Sequence, residues 1–119
     1  MMNPKIKKLW IEALKSGEYG QGSGMLRPDK TRFCCLGVLC DLHQKSGFGY
    51  EWERDESNSI NPYHYDDHIS YLPPCVVTWA GLENDNPFVS VGDDRITVGN
   101  MNDSGASFEE IAAVVERYL

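Results

Sequence analysis

An α+β fold in one small domain follows from three stretches of this 119-residue chain. FCCLGVLCDL, residues 33–42, is apolar almost all round for two helical turns, which places a helix in the interior. FVSVGDDRITV, residues 88–98, has two extended runs about a Gly-Asp-Asp turn and reads as a β-hairpin. SFEEIAAVVERYL, residues 107–119, opens with the S-x-x-E spacing of a capping box and continues at helical period. The expected architecture is three to four helices around a central one at about 33–45, with a small antiparallel sheet. A chain of 119 residues suits one domain, 1–119, and one core of moderate size.

The first helix has Asn3 as N-cap and Pro4 at N1, where its missing N–H costs nothing. Ile6, Leu9, Trp10, Ala13 and Leu14 form its apolar stripe, and Gly17 ends it. Residues 18–32 are glycine-rich. Met25-Leu26 and Thr31-Arg32 flank Arg27-Pro28-Asp29-Lys30, a turn with proline second, so a short hairpin is expected there. Neither GxGxxG nor GxxxxGK[ST] is present, so these glycines read as turns and not as a phosphate cradle. In the central helix, Gly37 costs about 1 kcal/mol against alanine, which implies close approach of another element. Residues 46–71 read as a long aromatic-rich loop or insertion, with Tyr50 and Trp52 alternating with Glu51 and Glu53 as in one short strand. A short helix follows Leu72-Pro73-Pro74, packs Val76, Val77 and Trp79, and ends at Gly81. The last helix buries Phe108, Ile111, Ala112, Val115, Tyr118 and Leu119.

Charge narrows the function classes. Residues 1–32 carry seven Lys/Arg against three Asp/Glu, whereas residues 33–119 carry four against fifteen, for a net charge of -7. An acidic body disfavours direct binding to nucleic-acid phosphates and leaves a surface suited to a basic partner. No apolar run is long enough to cross a bilayer, and MMNPKIKKLW lacks the apolar core of a signal peptide. A cytoplasmic protein without membrane association is expected, host-cytoplasmic if phage-encoded, with room for a homo-oligomer. Cys34 and Cys35 are adjacent and Cys40 shares their helix, so the thiols read as reduced and not as a disulfide framework.

Three groups of residues carry candidate chemistry. His64 and His68 have H-x(3)-H spacing and Cys35 and Cys40 have C-x(4)-C spacing, both compatible with zinc. Buried cysteines more often act as small hydrophobes, and no metal or other cofactor is expected. Cys34 or Cys35 at a helix start, followed by His64 or His68 and then Asn100, Asn102 and Asp103, repeats the Cys-His-Asn order of thiol hydrolases. Burial among Leu36, Val38 and Leu39 opposes this, because it stabilises the thiol over the thiolate. The third group is Asn102, Asp103, Ser104, Gly105 and Ser107, a polar turn before the capped helix. There it could hold a small anionic ligand, with Tyr50 and Trp52 as stacking surfaces opposite.

Trp10 in the first helix, CCLGVLCDL at Cys34–Leu42, LPPCVVTWAGL at Leu72–Leu82 and NDSGASFEEIA at Asn102–Ala112 together resemble a family of small uncharacterised proteins. They come from tailed phages, prophages and their bacterial hosts. Cys75 stands where a less reactive residue is expected. The resemblance covers most of the chain outside 46–71, implies a phage origin and transfers no catalytic residue. Small acidic phage proteins commonly act by binding, so the expectation is a non-enzymatic accessory or counter-defence protein holding a small anionic, nucleotide-type ligand. The alternatives are an acidic inhibitor of a host protein, or nucleic-acid mimic, and a small cysteine hydrolase.

Overall fold

The computed structural model describes residues 2–54 and 63–119. In chain order these form α1 (Pro4–Lys15), β1 (Gly20–Gln21), β2 (Arg32–Phe33), α2 (Cys35–Lys45), β3 (Trp52–Glu53), β4 (His64–Tyr65) and α3 (Pro74–Ala80). Next come β5 (Phe88–Val91), β6 (Asp94–Thr97), α4 (Val98–Asp103) and α5 (Phe108–Tyr118). The α+β class is as expected, with five helices among the described residues. β3–β4 and β5–β6 are antiparallel pairs, and β1–β2 is a parallel one.

α2 runs through the centre against α1, α3 and α4, and Cys35 through Asp41 are all buried. The Trp10 indole, fully buried on α1, donates from Nε1 to the Cys35 carbonyl at 2.9 Å, tying the first helix to the central one. Ile6 and Leu14 join Trp10 in the core, whereas Leu9 of the same stripe is exposed. Asn3 Oδ1 accepts from Lys5 N and Ile6 N, and the reciprocal Ser107–Glu110 hydrogen bonds start α5.

Gly37 explains itself through contact. A Cβ there would lie 1.7 Å from the Leu26 carbonyl oxygen. Leu26 passes across α2, accepts from Cys34 N at 3.0 Å and donates from its own N to the Ile69 carbonyl at 2.6 Å. Glycine at this point is a steric requirement.

Three local expectations are corrected. The hairpin between 25–26 and 31–32 does not form; instead 20–21 lies parallel to 32–33. Gly20 N donates to the Thr31 carbonyl and Gly22 N to the Phe33 carbonyl. A Cβ on Gly20 would press on the Thr31 carbonyl and one on Gly22 on the Pro28 ring, so the two glycines let the strands approach. The central helix begins at Cys35, because Phe33 belongs to β2 and Cys34 is the N-cap. The second hairpin strand ends at Thr97, whose hydroxyl accepts from Asn100 N and starts the unexpected α4. Residues 102–103 are therefore helical, and the turn begins at Ser104. Within 46–71, the described residues supply the β3–β4 pair; 55–62 lie outside the described residues.

Candidate functional site

The polar side of α2 and the β3–β4 pair build one connected region. Trp52 and Tyr65 are register partners, and Tyr65 is fully buried. Asp41, only 8% exposed, accepts from Tyr19 Oη at 2.6 Å and from Trp52 Nε1 at 3.0 Å, and Lys45 Nζ lies 3.2 Å away. These partners compensate a carboxylate that would otherwise be costly to bury. Burial, then the hydrogen bond to Asp41, pushes the Tyr19 phenol up to about 12. Two residues along α2, His43 Nδ1 sits 2.6 Å from Tyr65 Oη. Burial holds this imidazole below its ordinary value, and it pushes the Tyr65 phenol up. Both shifts favour the uncharged forms, a neutral imidazole and a protonated phenol, across this short contact. Phe48 stacks on His43 with centroids 4.6 Å apart, and Trp79 meets the same ring edge-on. Arg27 lies over the rings of Phe33, Trp52 and Tyr63.

Strand alternation sends Glu53 and His64, which are also register partners, to the face opposite Trp52 and Tyr65. The chain then turns through Asp66 and Asp67 at φ of 47° and 62°, closed by reciprocal hydrogen bonds between Tyr65 and His68. Two adjacent left-handed residues that are not glycine store backbone strain, and both are carboxylates. Gly49, Tyr50, Glu51, Glu53, Asp66 and Asp67 line one open depression of about 230 Å3. Among the described lining residues there are therefore four carboxylates and no lysine or arginine. The Cys75 thiol donates to Asp66 Oδ2 at 3.7 Å.

The ligand site expected from sequence is divided. Tyr50 lines the acidic depression and Trp52 is committed to Asp41. Asn102 lies at α4, buried, with its amide saturated. Its Oδ1 accepts from Gln21 Nε2 at 3.0 Å and from Cys35 N at 3.2 Å, and its Nδ2 donates to the Gly22 carbonyl at 2.7 Å and to Asp103 at 3.4 Å. Asp103 accepts from Gly24 N, and Ser107 is occupied by its capping box. Ser104 and Gly105 are exposed, and Gly105 takes a φ of 101°. Asp103 shares a second pocket, about 140 Å3, with Gly24, Ser70, Asn86, Gly99 and Asn100.

Three of the four thiols, Cys34, Cys35 and Cys40, are buried, and Cys34 borders the pocket that Asn100 and Asp103 line. Burial pushes Cys34 up to about 11 and holds Cys35 and Cys40 well above the ordinary thiol value. Cys35 Sγ donates to the Val98 carbonyl at 3.5 Å. His68 Nδ1 lies 2.6 Å from the Asp66 carbonyl, and His64 faces Glu53. Sequence reading did not single out Asp41, His43, Glu53 or Tyr65, whereas Asp66 and Asp67, lying between His64 and His68, are consistent with metal and equally with a solvated loop. The 50–53 alternation was the one local signal for Glu53, because it puts Glu51 and Glu53 on the face opposite Tyr50 and Trp52.

No helix among the described residues is long and apolar enough to cross a membrane. The chain belongs to the family described as a domain of unknown function, DUF8296, which matches residues 2–119. No curated protein and no solved structure matches it.

Proposed function

From membership of that family as the premise, we propose that this protein works by recognition and not by bond-making, as a phage accessory or counter-defence protein that binds a basic surface of a host protein. The observation that carries this reading is the convergence of Glu51, Glu53, Asp66 and Asp67 on one depression. A cluster of this sign attracts cationic side chains and raises their encounter rate. The protonated, buried thiols support recognition over thiol catalysis. The phage setting rests on the motif resemblance at Cys34–Leu42, Leu72–Leu82 and Asn102–Ala112.

Capture from a bacterial host lysate by the wild type and by a Glu51→Gln, Glu53→Gln, Asp66→Asn, Asp67→Asn variant tests the reading. The expected result is a partner held at low salt, released as salt rises and absent with the variant. A partner retained equally by both proteins would refute it.

A second reading keeps the small anionic, nucleotide-type ligand, placed in the pocket lined by Ser70, Asn86, Asn100 and Asp103. Its amides and hydroxyl suit phosphate oxygens, while the Asp103 carboxylate repels them, so this reading ranks second. Calorimetry with a panel of cyclic and ADP-ribose-type nucleotides separates it from the first.

A further inference from the structure

We propose that Glu53, His64 and Asp67 form a binding site for a first-row divalent transition-metal ion of the Mn2+ or Zn2+ kind. The three residues are brought together by strand register and a turn. Glu53 and His64 are directly opposed across β3–β4, so their side chains leave the same face of the pair. Asp67 returns to them from the turn that follows β4. One imidazole nitrogen and one oxygen from each carboxylate all lie within 4.8 Å of one another. Ligand atoms about 2.0–2.2 Å from a shared ion stand roughly 3–4 Å apart, so side-chain rotation alone closes the set.

A second observation points to a ligand. Among the described residues, the His64 Nδ1 atom is buried and finds no hydrogen-bond partner, although the side chain as a whole is 25% exposed, and it lies 4.0 Å from Glu53 Oε2. Buried polar atoms in native structures are almost always satisfied, and an ion at the centre of this set would satisfy this one. The donor chemistry selects the metal class. An imidazole with two carboxylates suits zinc, manganese or iron(II), whereas calcium and magnesium prefer oxygen shells. Glu53 is 70% exposed and Asp67 is also exposed, which leaves the remaining coordination positions open to water or to an incoming group. Glu51 and Asp66 on the same rim add negative charge that favours a cation.

The inference does not rest on the partner reading, because its readout is ion binding by the isolated full chain. The experiment is calorimetric titration of the metal-stripped protein with MnCl2 and with ZnCl2. The same titration is run on Glu53→Gln, His64→Gln, Asp67→Asn and Cys75→Ser. Asparagine is favoured at positive φ, so Asp67→Asn keeps the turn while weakening the ligand. The expected result is one ion per chain, at least roughly tenfold weaker binding in each of the first three variants, and unchanged Mn2+ binding in Cys75→Ser. Mn2+ also raises the melting temperature of the wild type and not that of Asp67→Asn. Absence of binding at about 1 mM of either ion overturns the proposal. So does equal affinity in the three ligand variants, or loss confined to Cys75→Ser.

Discussion

The Asn102 junction and the outer face of β3–β4 are both polar, and they treat their polar atoms in opposite ways. Around Asn102, all four amide hydrogen-bonding positions are engaged within the chain, and Gln21 adds bonds to the Ala106 carbonyl and from Phe108 N. On the hairpin face, among the described residues, the His64 Nδ1 atom is buried without a hydrogen-bond partner, four carboxylates crowd one hollow, and two residues hold strained backbone. Internal satisfaction contributes stability, whereas unsatisfied groups and stored strain are retained where something external is to be met. A conspicuous polar sequence motif is therefore a weak guide to a binding site until its hydrogen bonds are counted.

The sharpest way to break this contrast is at the core that carries both regions. Gly37→Ala would set a methyl 1.7 Å from a backbone oxygen that itself receives the Cys34 N hydrogen bond. The expected loss exceeds about 4 kcal/mol, enough to abolish cooperative unfolding by circular dichroism in urea. Asn102→Ala removes the remote partner of the first N–H of α2 and strands the Gly22 carbonyl. It should cost about 2–4 kcal/mol by denaturant unfolding while leaving partner and ion binding intact in the folded fraction. If it abolished binding without loss of stability, the assignment of the two regions would be reversed.

The thiols give a pH-dependent check. Burial raises Cys34 from 9.0 to about 11, so the folded state holds a proton that the unfolded chain releases. Stability from this group is complete below pH 9 and declines between pH 9 and 11, with a slope of up to about 1.4 kcal/mol per pH unit. Cys35 and Cys40 shift in the same direction. Iodoacetamide at pH 8 should accordingly modify Cys75 alone in the native protein and all four cysteines after unfolding, as read by mass spectrometry. Rapid native labelling of Cys34 would reopen the hydrolase reading.

The smallest effect is the most discriminating. Asp66→Asn with Asp67→Gly relieves two left-handed carboxylate residues and should raise stability by about 0.5–1 kcal/mol in thermal unfolding. The same change should weaken partner capture and ion binding. A variant that gains stability and keeps both would show that the strained turn has no role in recognition.

Sequence alone determined the elements whose cause lies within about four residues. Asn3-Pro4, Ser107–Glu110 and Pro73–Gly81 each satisfy or end a helix locally, and the 88–97 hairpin pairs residues close in the chain. Gly37 was also legible, since a mid-helix glycine inside an apolar run implies a close neighbour, though not that the neighbour is the Leu26 carbonyl. Only the tertiary structure decided that Asn102 holds the start of α2, 67 residues away, and that β1 runs parallel to β2. It alone set His64 opposite Glu53 with Asp67 beside them. Those juxtapositions come from closing long loops over a shared core, where register and approach are set by what packs beneath, so no short window of residues encodes them.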